Sequence, residues 1–166
     1  ALPEVEQTAF CSDSGNEPIP VGTYTNTIEV PSFDGKTIND LNVFFQIDAS
    51  PLGSVTVSVT SPWGYTLELW GTNGCGGTTG TIGVEWDDEG LDPTVDQLLC
   101  TDLFGIWQTL DFAVNGTGGL DLFDNQFYEG TWTLTVENSG GTATFVDWCL
   151  FPQLNDPIVD CNGVLG

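Results

Sequence analysis

Period-two alternation of apolar and polar side chains dominates this chain. In the run Gly130-Thr131-Trp132-Thr133-Leu134-Thr135-Val136, the residues Trp132, Leu134 and Val136 share one side and the threonines the other, the pattern of a half-buried β-strand. Asn138, Ser139, Gly140 and Gly141 supply turn chemistry, and Val146, Trp148 and Leu150 resume the alternation beyond them, so 130–151 reads as a hairpin. Upstream, strands are predicted at 25–30 and at 39–47, where Leu41, Val43, Phe45 and Ile47 share a face. Val55, Val57 and Val59 form the next, Ser61-Pro62-Trp63-Gly64 makes a turn, and Tyr65, Leu67 and Leu69 return. Further candidates lie at 81–86 and 109–114. No window shows sustained helical periodicity.

Many short strands joined by Gly, Pro and Asn turns predict an all-β fold, an antiparallel β-sandwich or barrel, of which the sandwich is favoured. With 166 residues the chain is long enough for one domain. The segment 1–22 reads as an N-terminal extension, 23–152 as the sandwich and 153–166 as a tail. The irregular stretches 71–80, 87–105 and 115–129 are where a local function is expected to lie.

Charge narrows the partners. Twenty-four Asp and Glu face the single cation Lys36, with no Arg or His, for a formal net charge of -23. Nucleic acid phosphates and anionic headgroups are repelled, and cations are the natural counterparts. Internal salt bridges are nearly excluded, so each carboxylate must be solvated, hydrogen-bonded, protonated or metal-bound. Most of the acidity reads as a solubilising surface suited to salty surroundings.

The absence of histidine removes Ser-His-Asp and Cys-His catalysis, and no other base adjoins a nucleophile. Zinc hydrolysis loses its usual ligand. Carboxylate pairs for glycoside hydrolysis remain available by arithmetic, as in any acidic chain. The protein is therefore expected not to be an enzyme.

Asp87-Asp88-Glu89 is the sharpest candidate site. Three consecutive carboxylates at a strand end repel one another, and calcium offers oxygen coordination without imidazole or thiolate; Asp40 and Asp48 flank a neighbouring strand as further donors. The alternative is a solvated acidic loop. Asp121, Asp124 and Glu129 form a rival cluster whose spacing fits no EF-hand loop. Of six tryptophans, Trp132 and Trp148 are in phase with core residues, whereas Trp63, Trp70, Trp86 and Trp107 lie at turns or strand ends, where an aromatic platform for sugars would sit.

Five cysteines in a chain without zinc-type spacing point to an oxidising compartment, and Cys149, inside a strand, reads as half of a disulfide. No apolar run approaches the ~20 residues that span a bilayer. No basic, apolar leader stands at Ala1, which reads as an export signal already removed or outside this sequence. An extracellular or cell-surface location follows. Asn115-Gly116-Thr117 is a glycosylation sequon of the kind that arises often by chance.

The ordered motifs I-N-D-L-N-V at 38–43, S-P-W-G at 61–64, D-D-E at 87–89, G-T-W-T-L-T-V at 130–136 and D-W-C-L at 147–150 resemble the P domain of furin- and kexin-like proprotein convertases, in its bacterial version appended to secreted proteases and surface proteins. The resemblance covers about 19–152. It implies a jelly-roll sandwich, often calcium-bound, without a catalytic centre, that stabilises or positions a neighbouring domain. It also implies disulfides joining Cys11 to Cys149 and Cys75 to Cys100. Cys161 is then left over for an intermolecular bond, a lipid, a partner or a plain free thiol. Where many members carry a His before the second long strand and an Asp ahead of its first apolar residue, this chain has Asp48 and Ser54. The expected function is a non-catalytic, calcium-stabilised module beside a protease or surface-protein domain. A self-associating adhesive or filament subunit, built through the N-terminal extension and Cys161, is the alternative, and a carbohydrate-binding module the third.

Overall fold

Two β-sheets face each other across a core made of the inward halves of the alternating strands. A computed structural model describes residues 8–13, 15–71, 77, 79–87, 104–107 and 119–155, with the backbone alone at 104–107. The candidate residues Asp88, Glu89, Cys75, Cys100 and Cys161, the strand expected at 109–114, the sequon and the Trp107 side chain lie outside this description.

The strands run β1 (Phe10–Cys11), β2 (Glu17–Ile19), β3 (Gly22–Val30), β4 (Thr37–Ser50), β5 (Val55–Thr60), β6 (Thr66–Trp70), β7 (Gly80–Trp86), β8 (Phe104–Trp107), β9 (Gly130–Asn138) and β10 (Thr142–Asn155). The larger sheet has the order β1-β10-β4-β7-β8, with β2 also on β10, and the smaller has β3-β9-β5-β6. All pairings are antiparallel except β7 with β8, which is parallel. The expected all-β sandwich is the observed fold.

Alternation explains which side of each strand is dry. Leu41, Val43, Phe45 and Ile47 of β4 and Trp132, Leu134 and Val136 of β9 are fully buried and meet in one cluster. Each fully buried aliphatic or aromatic side chain contributes about 1.5–3 kcal/mol by leaving water. Two of the buried tryptophans also satisfy their N–H groups: Trp148 Nε1 of the larger sheet donates to Asn26 Oδ1 of the smaller at 2.8 Å, and Trp132 Nε1 to the Tyr128 carbonyl at 2.8 Å. The first of these bonds ties the sheets together.

Several expectations change in detail. Val146 does not share the inward face with Trp148 and Leu150, because a register shift lies between Phe145 and Asp147; Val146 is the extra residue of a bulge, and Phe145 turns inward. Trp70 and Trp86 are fully buried, so neither forms a surface platform. In β6 a register shift sets Trp70 opposite Val57 and Glu68 opposite Ser58, leaving Leu69 as the extra residue and swinging Trp70 into the core. The segment read as an N-terminal extension contributes β1 and β2, both paired with β10 of the same chain. Cys11 and Cys149 lie opposite each other there and are joined by a disulfide.

The two turns that shape one end of the sandwich follow from local chemistry. Ser61 N–H donates to the Tyr65 carbonyl and Gly64 N–H to the Ser61 carbonyl, closing a three-residue hairpin loop in which Gly64 takes φ +88°. Gly130, at φ +122°, leaves space that Pro62 fills; a Cβ there would come within 2.7 Å of the proline ring.

Candidate functional site

The outer face of the larger sheet brings carboxylates together at one end. In β7, Val84 and Trp86 point into the core, so Glu85 and Asp87 point outward; Trp86 pairs with Val43 and Glu85 with Phe44. That register sets Asp87 beside Asn42 of β4, whose Nδ2 donates to Asp87 Oδ2 at 3.2 Å. Asn42 Oδ1 is buried and, among the described residues, meets no hydrogen-bond donor. Burial pushes the Glu85 carboxyl above its ordinary range, the Asp87 charge pushes it further, and the Asn42 amide opposes both. Two carboxylates and an amide oxygen without a hydrogen-bond donor thus share this patch.

The other candidate residues divide. Asp40 stands two residues before Asn42 on β4, where it pairs with Gln153. Asp48 is six residues beyond Asn42, about 20 Å along an extended strand, and accepts a hydrogen bond from the Thr81 hydroxyl at 2.5 Å. The structure therefore brings Asp40 towards Asp87 and sets Asp48 at the far end of the sheet. Asp121 is exposed on the short turn Leu120–Phe123, and Glu129 Oε2 accepts the Phe33 backbone N–H at 3.2 Å, bracing the β3–β4 connection.

Calcium fits the donor set around Asp87. It takes six to eight oxygen ligands from carboxylates, amide or backbone carbonyls and water, and Asp87, Glu85 and the Asn42 carbonyl oxygen are all of that kind. Asn42 and Glu85 were not singled out from sequence, because their outward phase is readable but the register that sets them beside Asp87 is not. Among the described residues the close cluster of three acidic or cysteine donors is Cys11, Asp147 and Cys149, with donor atoms within 4.8 Å, and Asp40, Glu85 and Asp87 do not form one. Its two sulfurs are bonded to each other and are not available as thiolates.

Elsewhere hydroxyls replace the missing cations. Thr131 donates to both oxygens of Glu29 at 2.7 and 2.9 Å, Thr23 to both of Glu137 at 3.0 and 2.8 Å, and Ser12 to Asp147 at 2.9 Å. Tyr24 donates to Glu17 at 2.7 Å, and its phenol is pushed up to about 12 by burial and then by the Glu17 carboxylate.

The fold and these contacts define the class: an all-β sandwich domain with an acidic, hydroxyl-rich surface and a disulfide at one sheet edge. No family model matches the sequence, and no curated protein matches it in sequence. Among solved structures it is similar to a chain in the crystal structure of the Aeromonas sobria serine protease (ASP) and chaperone (ORF2) complex, at TM-score 0.55 and 15% identity over 95% of this chain and 28% of that chain. It is also similar to the serine protease of Aeromonas sobria, at TM-score 0.51 and 16% identity over 93% of this chain and 28% of that one. At such identities the likeness is one of fold. The present chain spans about 28% of the length of either match.

Proposed function

We infer that this sandwich is a non-catalytic accessory module of an extracellular protein, of the P-domain kind, which stabilises or positions a neighbouring domain and is itself stabilised by calcium. The observation that carries the reading is the reach of the structural likeness: nearly the whole of this chain matches a little over a quarter of a longer one. A sandwich of this shape therefore occurs as one portion of a larger protein. The lack of histidine supports a non-catalytic role, and the Cys11–Cys149 bond suits an oxidising compartment. Among the described residues no helix is long and apolar enough to cross a membrane.

Asp87, Glu85 and the Asn42 carbonyl oxygen would hold the ion, with Asp88 and Glu89 following in sequence and Asp40 on the next outward position. The ion would offset the repulsion between the carboxylates and bind the end of β7 to β4. Because such a site exists only when β4 and β7 are paired, calcium binding is linked to folding. Thermal melting with calcium, with chelator, and with chelator plus high sodium chloride tests this on the native chain and on Asp87→Asn. A midpoint that calcium raises and sodium chloride raises only in part, with the calcium response lost in Asp87→Asn, is the expected result. Full restoration by sodium chloride would show general screening instead. Turnover of an ester, peptide or glycoside substrate that disappears on changing one residue would overturn the non-catalytic reading.

A further inference from the structure

Five large hydrophobic side chains are exposed among the described residues, and three of them, Trp63, Tyr65 and Phe127, gather at one end of the sandwich. Trp63 is 60% exposed although Trp70, Trp86, Trp132 and Trp148 are wholly buried. Its ring centroid lies 6.0 Å from that of Phe127, with the planes tilted by 37°. The base beneath them is rigid. The hairpin loop is closed by its two backbone bonds, Pro62 is wedged against Gly130, Ser61 Oγ donates to Gln126 Oε1 at 3.3 Å, and Phe127 bridges to Thr37. These aromatics hold their positions without a partner, so binding costs little side-chain ordering.

Beside the aromatics begins a rank of hydroxyls. Thr60 and Thr66 flank the loop, hydroxyl to hydroxyl at 2.8 Å, and the register carries the rank on through Thr133 and Thr27 across the outer face of the smaller sheet. Successive members lie about 4.7–4.9 Å apart, the spacing of neighbouring strands.

We propose that the Trp63–Phe127 platform, with the threonine rank beside it, is a binding site for a neutral polysaccharide chain. Pyranose rings carry apolar C–H faces that stack on aromatic rings and hydroxyl edges that exchange hydrogen bonds with side chains of the same kind. Charge selects the class of glycan: a surface of net charge -23 with a single lysine repels uronate and sulfate polymers. Chemistry also disfavours an apolar protein surface as occupant, because the three exposed side chains are all aromatic and the rank beside them is hydroxyl.

Affinity electrophoresis of the full chain through gels containing hydroxyethylcellulose, laminarin, xylan or galactomannan, with alginate as the polyanionic control, tests the proposal. At least one neutral polymer should retard the native chain and alginate should not. Trp63→Ala should weaken that retardation about tenfold, as expected for the central aromatic of an interface, and Phe127→Ala should weaken it in the same direction, both with unchanged melting midpoints. Thr60→Val should weaken it less. Retardation that survives Trp63→Ala, retardation by alginate equal to that by the neutral polymers, or no retardation by any of the four overturns the proposal. So does a Trp63→Ala effect confined to self-association in light scattering, which would make the patch a contact between copies.

Discussion

The outer faces of both sheets carry carboxylates at alternating positions, and Glu29 and Glu137 of the smaller sheet are satisfied differently from Glu85 of the larger. On the smaller sheet Glu29 and Glu137 each lie opposite a threonine, and the cross-strand hydroxyl donates to both carboxylate oxygens. On the larger sheet Glu85 lies opposite Phe44, and the nearest charge acting on it is the like charge of Asp87. In a chain with one lysine, a β-branched hydroxyl is the available substitute for a cation: it suits the strand, it donates, and it brings no charge. Where the facing residue is apolar, as at Glu85, the Asn42 amide on the neighbouring strand is the donor instead. Burial raises one carboxyl on each sheet, Glu68 on the smaller and Glu85 on the larger, and at Glu85 the like charge of Asp87 adds to it.

The larger sheet also carries the covalent staple, and removing it gives the largest expected effect. Cys11 and Cys149 are 138 residues apart, and closing a loop of that length stabilises the folded state by about 5 kcal/mol on the chain-entropy argument. Reduction, or the double change Cys11→Ala with Cys149→Ala, should lower the denaturation midpoint accordingly and free β1 from β10, while hydrogen exchange in β3, β5 and β9 stays protected to the new global limit. Preferential loss of protection in the smaller sheet would break the assignment of the staple to the larger one.

Calcium comes next. At 100 times its dissociation constant a site formed only in the folded state contributes about 2.7 kcal/mol, which in a domain this size shifts the midpoint by several degrees. Asp87→Asn should abolish that shift, and Thr131→Val, on the other sheet, should leave it intact. Equal losses in the two variants would show that total charge, and not the Asn42–Glu85–Asp87 patch, sets the response.

Much of this contrast was legible in the sequence and part was not. The strands β3 to β7, β9 and β10 announce themselves by alternation because each has one wet and one dry side. β1 and β2 have two and three residues and are strands only because β10 accepts them, which no local pattern encodes. Bulges defeated period counting at Val146 and at Trp70, which the register shift turns inward next to the equally buried Leu69, while Tyr65, expected on the same face as Leu67 and Leu69, is exposed. The acidic run at 87–89 stood out by composition, yet Asn42 and Glu85 join Asp87 through strand register. Trp63 carried the signal of a turn-tip aromatic, and Phe127 became its neighbour through the β-bridge to Thr37.

A smaller effect probes the hydroxyl side. Thr131→Val keeps the shape of the strand and removes the donor to Glu29, so the loss should be about 0.5 kcal/mol, the scale of an exposed side-chain bond. Thr23→Val should behave alike towards Glu137, and the two should add, since the pairs share no partner. Their sum is measured by chemical denaturation. A coupling above about 0.5 kcal/mol would mean that the threonine array acts as one network across the sheet.

The smallest effect has a sign that discriminates. The Glu85 carboxyl is held above its ordinary range by burial and by Asp87, so the folded chain binds this proton more tightly than the unfolded chain does. Above the raised value the cost of the ionised group is fully present, and it is relieved as the pH falls through that value towards the ordinary carboxylate range. In chelator at neutral pH, Glu85→Gln should therefore raise the melting midpoint slightly, and the gain should fade on acidification. With calcium bound the same carboxylate becomes a ligand, and Glu85→Gln should lower the midpoint and weaken calcium binding. No equivalent reversal is expected for Thr131→Val, whose Glu29 partner already has its donor. A Glu85→Gln variant that is stabilised equally in calcium and in chelator would remove Glu85 from the metal site. One that is destabilised in both would show that its charge is already balanced, and the contrast between the two faces would fall.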